Sequence, residues 1–313
     1  MLILRLLAAF LYRAVYQLHH LFFLRPGKPL RHSQLVVVGG YRTGGAGKTP
    51  FCMWLAQYAA AKGNRVAVLC HRYAFDEIEM LQRQFADNPL VTVYATQNRY
   101  REAHRLDDTQ EFDIILCDDG FEDSRLVGAV AVQLLWEPVP TRVTDLWPMG
   151  VARSLGQDHR GRQIELRCVG DNPDVRFVVD KVFNLESEMT LAPQTARVNV
   201  MCGLGDPERF CNDVCAYGLD VDKKFFLRDH DKNFVRKLED SLRKYPDEFF
   251  VISQKDAARL PKTGFSANYS RVFVATQNVV VTDSGSQLLY FLQKKGLKYD
   301  VDAKNSETDE NVV

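Results

Sequence analysis

The sequence has no excess of charge of either sign and no cysteine spacing typical of a metal site. Its 40 basic and 40 acidic side chains give a formal net charge of zero, so composition does not indicate bulk binding to nucleic acid. The seven cysteines are scattered. Cys211 and Cys215 stand four apart without a second pair at zinc spacing, which argues against zinc. We expect Cys52, Cys70 and Cys117, which lie in apolar runs, to be buried, reduced thiols. No repeat or protein partner is evident.

The first 24 residues contain no acidic side chain, and their apolar residues recur at helical spacing. A membrane-spanning helix needs roughly 20 mostly apolar residues, and Arg13 in its middle would be costly. No A-x-A-like cleavage site precedes Arg25, so a signal peptide is not indicated. The pattern favours an amphipathic helix over residues 1–24 that lies in a membrane interface with its arginines at the headgroups. A soluble helix packed on the body of the protein is the alternative.

Beyond this helix, short apolar runs alternate with helical stretches, which is typical of a parallel sheet with crossover helices. The predicted fold is α/β, with a mostly parallel sheet of the phosphate-loop (P-loop) NTPase type and a second, smaller α/β unit. We expect a nucleotide-binding domain over 25–174, the smaller domain over 175–301 and a disordered acidic tail over 302–313. Residues 156–174 are predicted to form a connecting segment, and residues 284–295 are predicted to form a last helix.

The strongest motif is VGGYRTGGAGKT, residues 38–49, which follows an apolar run and precedes a helical stretch. This is the setting of a phosphate-binding loop, in which Lys48 reaches the β- and γ-phosphates of ATP and the Thr49 hydroxyl ligates Mg²⁺. Arg42 stands where the strict pattern has glycine. Backbone amides at the helix start would bind phosphate oxygens. The amides belong to Gly44, Gly45, Ala46 and Gly47.

Acidic side chains follow two of the predicted strands. Asp118 and Asp119 end the run FDIILCDD, at the strand end where a parallel sheet presents its ligand crevice, and they would hold Mg²⁺. The pair Asp76-Glu77 follows another strand, so it should lie at the same crevice. His230 is flanked by two aspartates that would fix its tautomer. Asp76 and His230 are thus candidates for accepting the proton of an attacking hydroxyl.

These motifs, in this order, resemble the tetraacyldisaccharide 4'-kinases of lipid A biosynthesis. Residues 39–50 are similar to that family's G-N-x-x-x-G-G-x-G-K-T-P, which also departs from glycine at the place of Arg42. Further segments match in series. Residues 69–73 resemble S-R-G-Y, 76–77 G-D-E, 98–100 K-D-R, 118–126 D-D-G-F-Q-H-R-R-L, 147–153 L-P-A-G-P-L-R-E, 202–210 C-G-I-G-x-P-x-x-F, 229–230 D-H-H and 254–260 T-E-K-D-A-x-K-L. The resemblance reaches from the N-terminal helix to about residue 285.

The resemblance implies a kinase that uses ATP and Mg²⁺ to phosphorylate the 4'-hydroxyl of a lipid disaccharide 1-phosphate, giving lipid IVA. It implies action at the cytoplasmic face of the bacterial inner membrane, with residues 1–24 on the membrane surface. Carried over by position, the family's roles fall on the residues already singled out. Lys48 and Thr49 bind the phosphates and the metal, and Arg153 contacts phosphate. Asp76 is the base and is helped by His230. The metal is organised by Glu77, Asp118 and Asp119.

Some positions depart from the family pattern and keep other functions open. Ser154 stands where the family has glutamate, Glu122-Asp123 replaces Gln-His, and the loop between Tyr73 and Asp76 is shorter. A diverged paralogue that binds nucleotide without catalysis is therefore one alternative. A membrane-associated ATPase switch is another, although such loops carry a lysine where Thr43 stands here.

Overall fold

The computed structural model describes residues 2–23, 27–42, 44–156, 163–187, 189–194, 196–260 and 269–285. Its helices are α1 (Leu2–Phe23), α2 (Lys48–Ala61), α3 (Phe75–Gln84), α4 (Arg99–Thr109), α5 (Pro207–Tyr217), α6 (Phe234–Lys244) and the single turn α7 (Gln254–Ala257). Its strands are β1 (Gln34–Gly39), β2 (Val66–His71), β3 (Val91–Thr96), β4 (Ile114–Asp118), β5 (Val130–Leu135), β6 (Gln163–Arg167), β7 (Val175–Asn184), β8 (Arg197–Cys202), β9 (Asp220–Phe226), β10 (Phe249–Ser253) and β11 (Val272–Val281).

The first sheet is parallel throughout and has the order β3-β2-β4-β1-β5-β6. Its central strands are continuous apolar runs because helices cover both faces. In the register of β1 and β4, Val38 pairs with Asp118. The loop that leaves β1 and the acids that end β4 therefore start side by side at the same edge of the sheet.

The second sheet is mixed, with the order β7-β11-β10-β8-β9, and β7 is its antiparallel strand. Helix α5 follows β8 through a tight turn. The Asp206 side chain caps that helix by accepting a hydrogen bond from the Arg209 amide at 3.2 Å, and Pro207 occupies its first turn. The carboxyl ends of β8 and β10 thus present loops and helix starts at one edge of this sheet.

The two sheets share buried side chains. Val175 and Phe177 of β7 and Val279 of β11 belong to the same apolar cluster as Phe51 of α2. The second sheet therefore packs against the helix that follows the phosphate loop. The predicted domain division at residue 174 falls between the two sheets and stays a prediction.

Helix α1 rests on the protein through small and polar residues and exposes its apolar ones. Ala9 and Arg13 are buried, and the Tyr12 hydroxyl donates to the backbone oxygen of Arg153 at 2.8 Å. The expectation that the arginines lie at headgroups is wrong for Arg13, because that side chain faces the body of the protein. The exposed apolar side chains are Leu2, Ile3, Leu4, Leu7, Phe10, Leu11, Val15, Leu18, Leu21, Phe22 and Phe23. In the part of the chain that the structure describes, every helix is too short or too polar to cross a membrane.

The predicted α/β fold, with its mostly parallel sheet, second α/β unit and N-terminal helix, is confirmed. The expected connection over 156–174 is wrong in part, because β6 lies within it and pairs with β5. Strand β9 and helix α6 were not anticipated. Of the expected helix 284–295, the described residues belong to a 3-10 turn at Asp283–Gly285. Its remainder and the tail 302–313 lie outside the described residues.

Candidate active site

The loop between β1 and α2 has the backbone of a phosphate-binding loop. Gly45 and Gly47 adopt left-handed φ values of 63° and 70°, which glycine tolerates without cost. A Cβ at Gly45 would lie 2.8 Å from the Asp206 amide nitrogen, and one at Gly47 would lie 2.7 Å from the Phe177 ring. Helix α2 begins at Lys48 without a side-chain cap. The amides of Lys48 and Thr49 in its first turn are therefore placed to bind an anion, whereas Pro50 carries no amide hydrogen.

Two basic side chains converge on Asp119 beside this loop. Lys48 Nζ lies 2.8 Å from Asp119 Oδ1, and the Arg153 guanidinium donates to both oxygens at 2.7 and 3.2 Å. Burial would raise the pKa of Asp119, but Lys48 and Arg153 together hold it well below its ordinary value. Asp119 also has a left-handed φ of 53°. Lys48 and Arg153 are thus aligned at the mouth of the loop, where they would meet phosphate oxygens.

Asp118 lies next to the phosphate loop, and its carboxylate accepts two hydrogen bonds. Thr49 Oγ1 donates to its Oδ2 at 2.9 Å, and the Cys52 thiol donates to its Oδ1 at 3.5 Å. Burial, and then the charge of Asp119, raises the pKa of Asp118. A nearby cation would therefore stabilise this carboxylate, and the contact with Thr49 places two oxygen ligands for such a cation side by side.

Glu77, in the first turn of α3, faces the same cavity. Burial, followed by the charge of Asp118, raises the pKa of Glu77 to about 7. The Lys255 ammonium lies 3.3 Å from Glu77 Oε1 and opposes this effect. Glu77 and Asp118 thus line one cavity as two carboxyl groups with raised pKa values, and a divalent cation bound there would stabilise their charged forms.

The donor set fits Mg²⁺ only in the presence of a nucleotide. Mg²⁺ prefers oxygen ligands and keeps several waters, so one or two carboxylates with substrate phosphates suffice. Among the described residues, no group of three or more histidine, cysteine or acidic side chains is arranged to hold a metal by itself. Thr49, Asp118, Asp119 and Glu77 all line the cavity, so they would supply the protein's share of the ligands.

Asp76 and His230 form a pair that links the two sheets. His230 Nδ1 lies 3.0 Å from Asp76 Oδ2, and Arg259 donates to the same oxygen at 2.7 and 3.2 Å. Burial would raise the pKa of Asp76, but Lys255, Arg259 and His230 lower it below its ordinary value. Asp76 is 7% exposed, whereas His230 lines the cavity. The imidazole thus lies between the aspartate and the space in which a substrate would bind.

The cavity has a volume of about 370 Å³ and lies between the phosphate loop and the second sheet. Gly205 approaches the loop so closely that a Cβ there would lie 2.7 Å from the Gly45 nitrogen. Arg42 pairs with Asp206 at 3.2 Å and with Glu137 at 3.4 Å. Arg42, which departs from the strict loop motif, therefore links the phosphate loop to the turn after β8 in the second sheet.

The structure brings the sequence-predicted site residues together, and their assigned roles stay predictions. All of them line the cavity except Asp76, which reaches it through His230. Sequence reasoning missed Lys255, whose ammonium lies 3.1 Å from Asp229 and 3.3 Å from His230 Nε2. It also missed Arg259, although both basic residues stand in the motif QKDAARL. Their place after the parallel strand β10 was the signal that could have found them.

The comparisons with known proteins identify the family and the fold. The family described as tetraacyldisaccharide-1-P 4'-kinase matches residues 1–295. A tetraacyldisaccharide 4'-kinase from Syntrophobacter fumaroxidans is 26% identical over 72% of this chain and 71% of its own length. One from Nitrobacter hamburgensis is 26% identical over 86% of each. The crystal structure of LpxK from Aquifex aeolicus in complex with ATP has a TM-score of 0.60 and 19% identity, and the match covers 93% of this chain and 97% of that one.

The fold and the loop define a P-loop protein of the α/β class that carries a second α/β unit over its phosphate-binding edge. The match over residues 1–295 then specifies the family. The chain belongs to the tetraacyldisaccharide-1-P 4'-kinase family.

Proposed function

We propose that this protein transfers the γ-phosphate of ATP to the 4'-hydroxyl of a tetraacyldisaccharide 1-phosphate, a precursor of lipid A, and so forms lipid IVA. The observation that carries the proposal is one cavity with two complementary walls. The phosphate loop with Lys48 and Thr49 forms one wall, and the Asp76–His230 pair faces it from the other. Family membership supplies the nature of the acceptor.

The loop amides and Lys48 would bind and orient the triphosphate. Phosphoryl transfer depends mainly on positioning and on neutralising charge, so these contacts carry much of the catalysis. Arg153 shares Asp119 with Lys48, so its guanidinium stands where it would contact the transferred phosphoryl group. Asp119 fixes both cations in this orientation.

Mg²⁺ would be held by Thr49 and by carboxylates among Glu77, Asp118 and Asp119, together with the nucleotide and water. It would neutralise charge on the phosphate oxygens. The Thr49–Asp118 hydrogen bond of 2.9 Å orients the hydroxyl that would serve as a ligand of the metal. Lys255 balances the carboxylate of Glu77 from the second sheet.

The proton of the attacking 4'-hydroxyl would pass to the Asp76–His230 pair. Sequence and resemblance assign Asp76 as the base, and the geometry adds that His230 is the member that reaches the cavity. A carboxylate bonded to Nδ1 fixes the imidazole tautomer with Nε2 as the acceptor. Nε2 lies 3.3 Å from the Lys255 ammonium, so the substrate hydroxyl would take the place of this contact. Because Arg259 and Lys255 keep Asp76 ionised, the pair carries the negative charge that stabilises a protonated imidazole.

We also propose that α1 holds the protein on the cytoplasmic face of the bacterial inner membrane. Its apolar residues are exposed to solvent in the protein alone. They would form the face that an interfacial helix buries in the membrane. The same helix contacts the segment of Arg153 through Tyr12. The membrane surface, from which a lipid substrate would come, thus lies next to the cavity.

The proposal is tested by incubating the full chain with γ-labelled ATP, Mg²⁺ and tetraacyldisaccharide 1-phosphate in detergent micelles. Labelled lipid is the expected product. Label released only as free phosphate would instead indicate an ATPase switch. Nucleotide binding without either product would indicate a non-catalytic paralogue.

A further inference from the structure

Glu122 joins the N-terminal helix to the segment that carries Arg153. Its Oε2 accepts a hydrogen bond from the Tyr16 hydroxyl at 2.6 Å, and its Oε1 accepts one from Ser154 Oγ at 2.8 Å. Ser154 is fully buried and Glu122 is half-buried. Hydrogen bonds to an ionised acceptor are among the stronger ones in proteins, and partial burial strengthens them. We call this arrangement the Glu122 bridge.

The Glu122 bridge lies directly beside the backbone of Arg153. The Arg153 carbonyl accepts from Tyr12 at 2.8 Å, and its amide donates to the Tyr41 carbonyl at 2.8 Å. Burial would lower the pKa of Arg153, but Asp119 and then Glu122 raise it above its ordinary value. Glu122 thus acts on Arg153 in two ways, through its hydrogen bond with the adjacent Ser154 and through the negative charge of its carboxylate. Asp119 pairs with the guanidinium directly.

Glu122 and Ser154, which bond to each other in the bridge, are also two of the positions at which this chain departs from the family pattern. In L-P-A-G-P-L-R-E, a glutamate follows the arginine, where this chain has Ser154. In D-D-G-F-Q-H, a neutral glutamine stands where this chain has Glu122. Relative to that pattern, the carboxylate of this chain stands on the loop after β4 and not directly after Arg153, and the two positions are joined by the 2.8 Å hydrogen bond.

We propose that Glu122 is a positioning residue, which supplies from the loop after β4 the carboxylate that holds the Arg153 segment and α1 together. This inference rests on the proposed kinase function, because Arg153 is assigned there to the transferred phosphoryl group. Ser154, read from sequence as a sign of altered activity, is then one half of a compensated exchange.

The test compares Glu122→Gln with the exchanged double variant Glu122→Gln/Ser154→Glu. For Glu122→Gln we expect kcat for lipid phosphorylation to fall about tenfold, because the charge that fixes Arg153 is lost while shape is kept. The KM for ATP should stay within about twofold, since the loop and Lys48 are unchanged. The double variant should recover kcat to within about threefold of wild type. Ser154→Glu alone should be less active than the double variant, because two carboxylates then face each other.

Tyr16→Phe tests whether α1 acts through the same bridge. In the Glu122→Gln background, Tyr16→Phe should lower kcat by a smaller factor than it does in the wild-type background. The reason is that the hydrogen bond from Tyr16 to residue 122 is already weakened there. Glu111→Gln, at an exposed position, is the matched control and should leave kcat unchanged. Melting temperatures of all variants are measured to separate lost activity from unfolding.

Full kcat in Glu122→Gln, or a double variant no better than Glu122→Gln alone at equal melting temperature, would overturn the inference and leave the kinase proposal standing. A wild-type chain that binds ATP but labels no lipid would overturn the kinase proposal and the positioning role together.

Discussion

His230 Nδ1 lies 3.0 Å from Asp76 Oδ2, and this contact joins the loop after β9 to the start of α3 at the edge of the cavity. His230 adopts a left-handed φ of 55°, uncommon for a residue other than glycine. The contact shows that the geometry of the proposed base depends on how the loop after β9 packs against α3.

Replacing either member of this pair should abolish most phosphoryl transfer and spare nucleotide binding. For Asp76→Asn and for His230→Gln we expect kcat to fall by about 10²–10⁴, the range for loss of a general base. The Kd for Mg·ATP should change little, because neither side chain belongs to the phosphate loop. Stopped assays and calorimetry measure the two quantities. If His230→Gln keeps near-normal turnover and Asp76→Asn does not, the aspartate alone is the base.

Lys48→Ala should weaken nucleotide binding itself. Loss of a charge-assisted contact to phosphate should raise the Kd for Mg·ATP by about 10–100-fold, measured by calorimetry. Lys244→Ala, an exposed lysine on α6, should leave the Kd unchanged. Equal affinities of wild type and Lys48→Ala would remove the loop as the nucleotide site.

Asp118→Asn should change the magnesium requirement more than the affinity for nucleotide. The amide keeps a hydrogen-bond acceptor for Thr49 but loses the charge that faces the cation. We expect the Mg²⁺ concentration for half-maximal activity to rise by about tenfold or more. A magnesium titration at saturating ATP checks this. An unchanged titration midpoint would remove Asp118 from the metal site.

Asp213 should give the folding stability a measurable pH dependence. Burial raises the pKa of Asp213 from 3.8 to about 6, although Arg209 and Gln277 oppose this. The folded chain therefore holds this proton more tightly than the unfolded chain. Its contribution to the free energy of unfolding is complete below about pH 4 and is lost as pH rises through about 6.

Urea unfolding of wild type and Asp213→Asn across this range checks the effect. The difference in unfolding free energy between the two should change by roughly 2–3 kcal/mol from pH 3.5 to pH 7. The exposed Asp247→Asn serves as control and should show a constant difference. A constant difference for Asp213→Asn as well would contradict the raised pKa.

Charged residues on the exposed face of α1 should release the protein from membranes. Leu7, Leu11 and Leu18 are 61%, 66% and 54% exposed, so Leu→Glu changes there leave the contacts of Tyr12 and Tyr16 intact. We expect the triple variant to stay in the supernatant when wild type sediments with vesicles of phosphatidylethanolamine and phosphatidylglycerol. Val169→Glu, at another exposed apolar position, is the control. Deletion of residues 1–24 should release the chain too, and sedimentation of that shortened chain would contradict the anchor.

The local part of the site was predictable from sequence, because a few adjacent residues determine it. The glycines, Lys48 and Thr49 form a continuous motif, and Asp118 follows from the rule that parallel strands end at one edge. Strand β6 was missed because Gln163 and Glu165 interrupt its apolar residues and glycine-rich polar sequence precedes it. Strand β9 was missed because it lies at the edge of its sheet and four of its seven residues, Asp220, Asp222, Lys223 and Lys224, are charged.

The rest of the site depends on contacts between distant segments, which residue patterns do not encode. Arg259 bonds to Asp76 across 183 positions of sequence. Glu122 bonds to Ser154 across 32 positions and to Tyr16 across 106. The burial of Arg13 likewise follows from the way α1 lies on the protein. Such pairs emerge only when the sheets, loops and α1 are packed together.

The most direct test of the proposed function locates the phosphate on the product. Wild-type protein is incubated with Mg·ATP and tetraacyldisaccharide 1-phosphate, and the lipid is examined by phosphorus–proton correlation NMR. We expect a new phosphorus signal coupled to the proton at the 4' position, absent with Lys48→Ala. A lipid that stays monophosphorylated, while calorimetry shows bound Mg·ATP, would contradict the function that we assign.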